Sequence, residues 1–198
     1  GFNLPIEDGL VAYWKMDETN ETTFTTGAFT IEDNSTSNND INVNTSITGA
    51  NVTRTYWGTK NRSIKFDRTD AIDPIANITD SRANGVFTFS CWMQATASSN
   101  ELNIKMGGLD FTISDNQLSI NGFIQTLDLE GKWNHFVCRY DSSANRETTI
   151  FINGEEEDKT LNSADGTNFN FVTGFENILL DEIMVYNRAL TDAEIGHL

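Results

Sequence analysis

Apolar and polar residues alternate along most of this chain, in short runs. Such runs occupy residues 10–16 (LVAYWKM), 63–66 (SIKF), 86–95 (VFTFSCWMQA), 109–113 (LDFTI), 117–122 (QLSING), 132–141 (KWNHFVCRYD), 148–154 (TTIFING) and 178–187 (ILLDEIMVYN). Clusters of Gly, Asn, Asp and Ser separate them. A period of two bounded by turn residues marks a strand with one buried face. Asn153-Gly154 predicts a two-residue hairpin, because a type I′ turn needs positive φ at both central positions. Many short strands punctuated by turns predict an all-β fold, a two-sheet antiparallel jelly-roll sandwich. One short helix is expected, opening at Thr191 with Glu194 three residues on as a capping box.

The same alternation assigns faces. Phe87, Phe89, Cys91 and Met93 share one face of their strand, and Thr88, Ser90, Trp92 and Gln94 share the other. Phe136, Cys138 and Tyr140 also share a face, so both cysteines point into the core with large apolar residues. The residues alone leave open whether these are free buried thiols or a bridge. Residues 18–62 are polar and rich in Thr and Asn, with isolated apolar points such as Phe29, Ile31, Ile41 and Val43. This stretch reads as short edge strands joined by a functional or metal-stiffened loop, since a long structureless loop is rare inside a compact domain.

Length and charge narrow the function. A chain of 198 residues suits one domain, expected over 9–198 behind an extension at 1–8. The four Trp and thirteen Phe supply a substantial core. A formal charge of -16 excludes the basic surface that nucleic acid requires. No apolar window is long enough for a membrane span. Six N-x-S/T sequons, at Asn20, Asn34, Asn44, Asn51, Asn61 and Asn77, are what so much Asn, Ser and Thr produces by chance. Trp14, Trp92 and Trp133 fall in strands and read as structural, whereas Trp57, beside Tyr56 in a loop, is a candidate stacking platform for a ligand. His135 reads as a core histidine.

Six segments in order, GLVAYWKMDE (9–18), SIKFDRTDAID (63–73), FTFSCWMQA (87–95), KWNHFVCRYD (132–141), IFINGEE (150–156) and LLDEIMVYNRALTDAEI (179–195), resemble the laminin-G-like jelly rolls of the concanavalin A-like lectin/glucanase superfamily. The resemblance implies two sheets packed face to face. Through the related pentraxins it implies a Cys91–Cys138 disulfide and hence a secreted, periplasmic or cell-surface setting. It also implies structural calcium, Ca2+, held by an early acidic loop and an acid at the head of the last strand. In this sequence those positions are Asp33, Asn38 and Asp181, with Asp17 a weaker ligand, all offering hard oxygens. Glycosidases of the superfamily carry spaced carboxylates on one strand. The dense cluster here, Glu155-Glu156-Glu157-Asp158, follows a tight turn and lacks the apolar flanks that would desolvate a carboxyl. A non-catalytic, lectin-like module that binds glycan or polysaccharide is therefore expected. The alternatives are a structural or protein-interaction module bound to another surface protein and, last, a glycanase or lyase.

Overall fold

The computed structural model describes residues 5–16, 28–44, 51–55, 63–67, 85–106, 109–120, 123–142, 147–161 and 169–198. Its strands in chain order are β1 (Leu10–Trp14), β2 (Ala28–Ile31), β3 (Ile41–Asn44), β4 (Asn51–Thr55), β5 (Ser63–Asp67), β6 (Val86–Ala95), β7 (Glu101–Met106) and β8 (Leu109–Ser114). They continue with β9 (Gln117–Ile120), β10 (Phe123–Thr126), β11 (Asn134–Asp141), β12 (Glu147–Ile152), β13 (Glu155–Leu161), β14 (Phe169–Glu176) and β15 (Ile178–Tyr186), before the helix α1 (Asp192–Ile195). No helix among the described residues is long and apolar enough to cross a membrane.

The larger sheet runs β13-β12-β11-β6-β15-β5-β4, with β1 also paired to β15. The five-stranded sheet runs β10-β9-β8-β7-β14, and β2-β3 form a separate hairpin within the stretch expected to hold short edge strands. All named pairings are antiparallel, as a two-sheet jelly roll requires. Tight turns set the registers. Asn153 and Gly154 both have positive φ (54° and 82°), the type I′ geometry expected between β12 and β13, and Asp115-Asn116 repeats it between β8 and β9.

The two sheets meet on the face that the alternation marked. Phe89 and Phe136 of the larger sheet enclose Phe111 of the smaller, with ring centroids 6.3 Å and 4.6 Å from it. Each buried ring contributes about 1.5–3 kcal/mol by leaving water, and tilted contacts at these distances add about 0.5–1.5 kcal/mol. β15 is buried along its whole length, because it has neighbours on both edges and cover on both faces.

That second cover comes from the chain ends. On the outer face of the larger sheet Tyr13, Val137, Phe151, Met184 and Tyr186 pack with Leu190 and Ile195 of the C-terminal segment, and Ile6 and Leu10 join them. Thr191 caps α1 with both halves of the capping box in place. Arg188 clasps Glu194 through two hydrogen bonds of 3.0 and 2.7 Å and reaches the Asp8 carbonyl at 2.9 Å. Gly9 at φ +77° makes this possible, since a Cβ there would lie 2.9 Å from the Arg188 side chain.

Candidate functional site

The loop expected to hold calcium is built around Asp33. Its Oδ1 accepts from the amides of Tyr13 and Ser35, both at 2.8 Å. Its Oδ2 accepts from the Ser35 hydroxyl at 2.8 Å and the Asn39 amide at 2.7 Å. Asn34 N–H bonds back to the Tyr13 carbonyl, and the Trp14 indole donates to the Asn39 carbonyl. The loop thus lies along the edge of β1 and closes it against strand addition. Both Asp33 oxygens are occupied by protein donors, Asn38 stands exposed with φ 58°, and no three His, Cys, Asp or Glu among the described residues gather closely enough to hold a metal. The described residues therefore do not fit a calcium site centred on Asp33. Asp17, Tyr56 and Trp57 lie outside the described residues.

Asp181 and Glu182 do not form a polar strand entrance. They sit in the middle of β15, 1% and 4% exposed, where a register shift against β6 accommodates an extra residue. Glu182 takes a left-handed conformation (φ 49°) at this irregularity, and its Oε2 accepts a hydrogen bond from the Tyr13 hydroxyl. Asp181 lies opposite Trp92, which in turn lies opposite His135. The Trp92 and His135 rings stack with centroids 4.9 Å apart, and His135 Nε2 is 2.8 Å from the Ser90 hydroxyl. His135 is buried as expected, but on the outer face rather than between the sheets. Burial pushes its pKa down to about 4, so the ring is neutral at physiological pH. Ser90 has no exposed surface, so this pair is a sealed structural contact and cannot present a nucleophile to substrate.

The acidic run has the opposite fault. Glu155, Glu156 and Glu157 are exposed on β13, the outermost strand of the larger sheet, with nothing to desolvate an acid for proton donation. The implied disulfide is not formed either. Cys91 and Cys138 are free thiols in the core, Cys91 opposite Phe136 and Cys138 opposite Phe89. They are diagonal neighbours, and such pairs stand roughly 7–8 Å apart where a disulfide needs Cβ atoms at about 4 Å. Burial pushes the Cys138 thiol to about 12 and the Cys91 thiol further, which keeps both in the unreactive protonated form.

The outer face of the five-stranded sheet is different in kind. One row across it reads Asn103, Thr112, Ser119 and Ile124, and the next reads Glu101, Ser114, Gln117 and Thr126. Ser114, Gln117 and Thr126 are exposed and Asn103, Thr112 and Ser119 half-buried, so amides and hydroxyls of adjacent strands make a contiguous polar surface, bordered by the exposed carboxylates of Glu101 and Asp110. That these residues line up into rows depends on register, which alternation within a strand does not report.

Residues 68–196 match the laminin-G-type model of the concanavalin A-like lectin/glucanases superfamily. The chain belongs to that family. Among solved structures, this laminin-G-like domain is similar to the binding domain of Paraclostridial Mosquitocidal Protein 1 (TM-score 0.67, 19% identity, 96% of this chain and 51% of that one). It is also similar to botulinum neurotoxin type C, in a structure titled for cell entry dependent on two ganglioside molecules (TM-score 0.57, 14% identity, 96% and 50%). A third similar structure is a mutant Trypanosoma rangeli sialidase displaying trans-sialidase activity (TM-score 0.59, 12% identity, 95% and 32%). The domain therefore spans about half the length of the toxin chains and a third of the sialidase, and at these identities the likeness is one of fold. No curated protein matches the sequence.

Proposed function

We infer that this laminin-G-like domain is a non-catalytic, lectin-like module of a secreted or cell-surface protein, and that its ligand is a glycan. The observation that carries this reading is the polar face of the five-stranded sheet, where Asn103, Thr112, Ser114, Gln117, Ser119 and Thr126 form adjacent rows of uncharged hydrogen-bonding groups. Such rows suit a polyhydroxylated chain, whose every hydroxyl both donates and accepts. They offer nothing to a phosphate backbone. Asp181 and Glu182 are sealed and Glu155 to Glu157 are exposed, so neither set offers the accessible, partly desolvated acid that hydrolysis uses. Similarity to a toxin binding domain and to a ganglioside-dependent toxin agrees with a receptor-binding role. Ile124, 59% exposed in the same face, favours a protein ligand as the second reading. A glycan array probed with the whole chain, with EDTA in one arm, tests the first. Binding that survives EDTA supports it, and a blank array alongside capture of a defined surface protein replaces it with the second.

A further inference from the structure

Where the C-terminal segment crosses β11 and β12 it leaves a pocket of about 320 Å³ between Arg139, Asp141, Glu147 and Thr149 of the strands and residues 189–191 of the segment. The guanidinium of Arg139 is fixed there. Its Nη1 donates to the Leu190 carbonyl at 2.9 Å and to Asp192 at 2.6 Å, and the group lies 5.0 Å over the Phe151 ring. With a side chain only 15% exposed, Arg139 has Nε and Nη2 that make no hydrogen bond with any described residue, so two preorganised donors remain. Asp141 and Glu147 stand directly opposite each other across the same strands, and Glu147 Oε1 accepts from the Thr149 hydroxyl at 3.3 Å. Donors and carboxylate acceptors thus line one small space.

That mixture selects a ligand. A phosphate or sulfate suits the guanidinium but meets two carboxylates, and an amine suits the carboxylates but meets the guanidinium. A sugar hydroxyl accepts from one wall and donates to the other. The volume lies at the lower end of the roughly 300–1,000 Å³ range of small-molecule sites, which suits one or two rings rather than a long chain. We propose that this pocket holds a terminal sugar unit, with ring hydroxyl oxygens accepting from Arg139 and hydroxyl protons donated to Asp141 and Glu147. The proposal rests on the glycan reading and places a second, end-recognising contact on the larger sheet, away from the polar face of the five-stranded one.

The test uses the whole chain. Free hexoses and N-acetylhexosamines at high millimolar concentration are titrated while the Arg139 Nε–H resonance is followed, and array hits are re-measured with Glu147→Gln and, separately, Thr112→Val. Glu147→Gln keeps the shape of the pocket and leaves the Arg139 contacts to Leu190 and Asp192 untouched, and its thermal melt is recorded alongside to show that it folds. The expected result is a saturable shift at Arg139 and at least about tenfold weaker glycan binding by Glu147→Gln. If array hits persist unchanged in Glu147→Gln and no sugar moves Arg139, the pocket proposal falls while the glycan reading stands. A blank array together with a silent Arg139 overturns both.

Discussion

Acidification is the most direct probe of the sealed outer face. His135 has a pKa of about 4 in the native fold against 6.5 for the free side chain, because burial against Trp92 and Ser90 disfavours the charged ring. The unfolded chain binds this proton below pH 6.5 and the native fold resists it until about 4. Stability from this group is therefore complete above 6.5 and is lost as pH falls towards 4. A gap of that size, at 1.36 kcal/mol per unit, amounts to about 3 kcal/mol. Glu194 does not confuse the window: hydrogen bonds from Arg188 hold its carboxyl down to about 2, so its contribution is lost below the ordinary carboxylate value of 4.5. Urea denaturation of the wild type and of His135→Gln, at steps between about pH 7 and 4.5, isolates the effect as the difference between two curves. The wild type should lose about 1.4 kcal/mol more per pH unit than the variant once below about pH 6. Parallel curves would refute the claim that His135 is sealed and neutral.

The remaining predictions concern packing and the Asp33 loop. Phe111→Ala, which empties the point where the two sheets touch, should cost about 3–5 kcal/mol in urea melts, and a loss below about 1 would show that the rings do not join the sheets. Asp33→Asn turns one accepting atom into a donor facing the Asn39 amide and Ser35 hydroxyl. It should destabilise by about 2 kcal/mol equally in EDTA and in calcium, whereas a cost seen only in calcium would make Asp33 a metal ligand after all. Thr148 is fully buried with an Oγ1 that has no hydrogen-bond partner among the described residues, so Thr148→Val should stabilise by about 1 kcal/mol, and destabilisation would reveal a partner for that hydroxyl.

Periodicity carried much of the fold because one face of each strand had to be buried. It placed β6, β11, β12 and β15, the core face of Phe89, Cys91 and Phe136, and the Asn153-Gly154 turn. It missed β7, β10 and β14, whose sequences ELNIKM, FIQT and FNFVTGFE are short, polar or irregular and are completed by their neighbours. Alternation reports which way a side chain points and not what covers it. Thr88 and Ser90, on the polar side of β6, are fully buried under a second apolar layer that no local pattern announces. Register was equally hidden. The irregularity at Asp181 and Glu182 moved an acid pair from a strand head into a sealed interior, and a two-residue offset left the cysteines diagonal. The Arg139 pocket depends on where the C-terminal segment lands, so its residues, four of them in β11 and β12, passed as ordinary strand positions.

A lectin-like domain binds glycan and does not cleave it. The decisive measurement takes the strongest array hit, measures its binding to the whole chain calorimetrically, and recovers the glycan afterwards for mass analysis. Saturable binding that is independent of calcium, with the glycan recovered intact, is expected. Shortened glycan, or no heat of binding to any glycan tested, would contradict it.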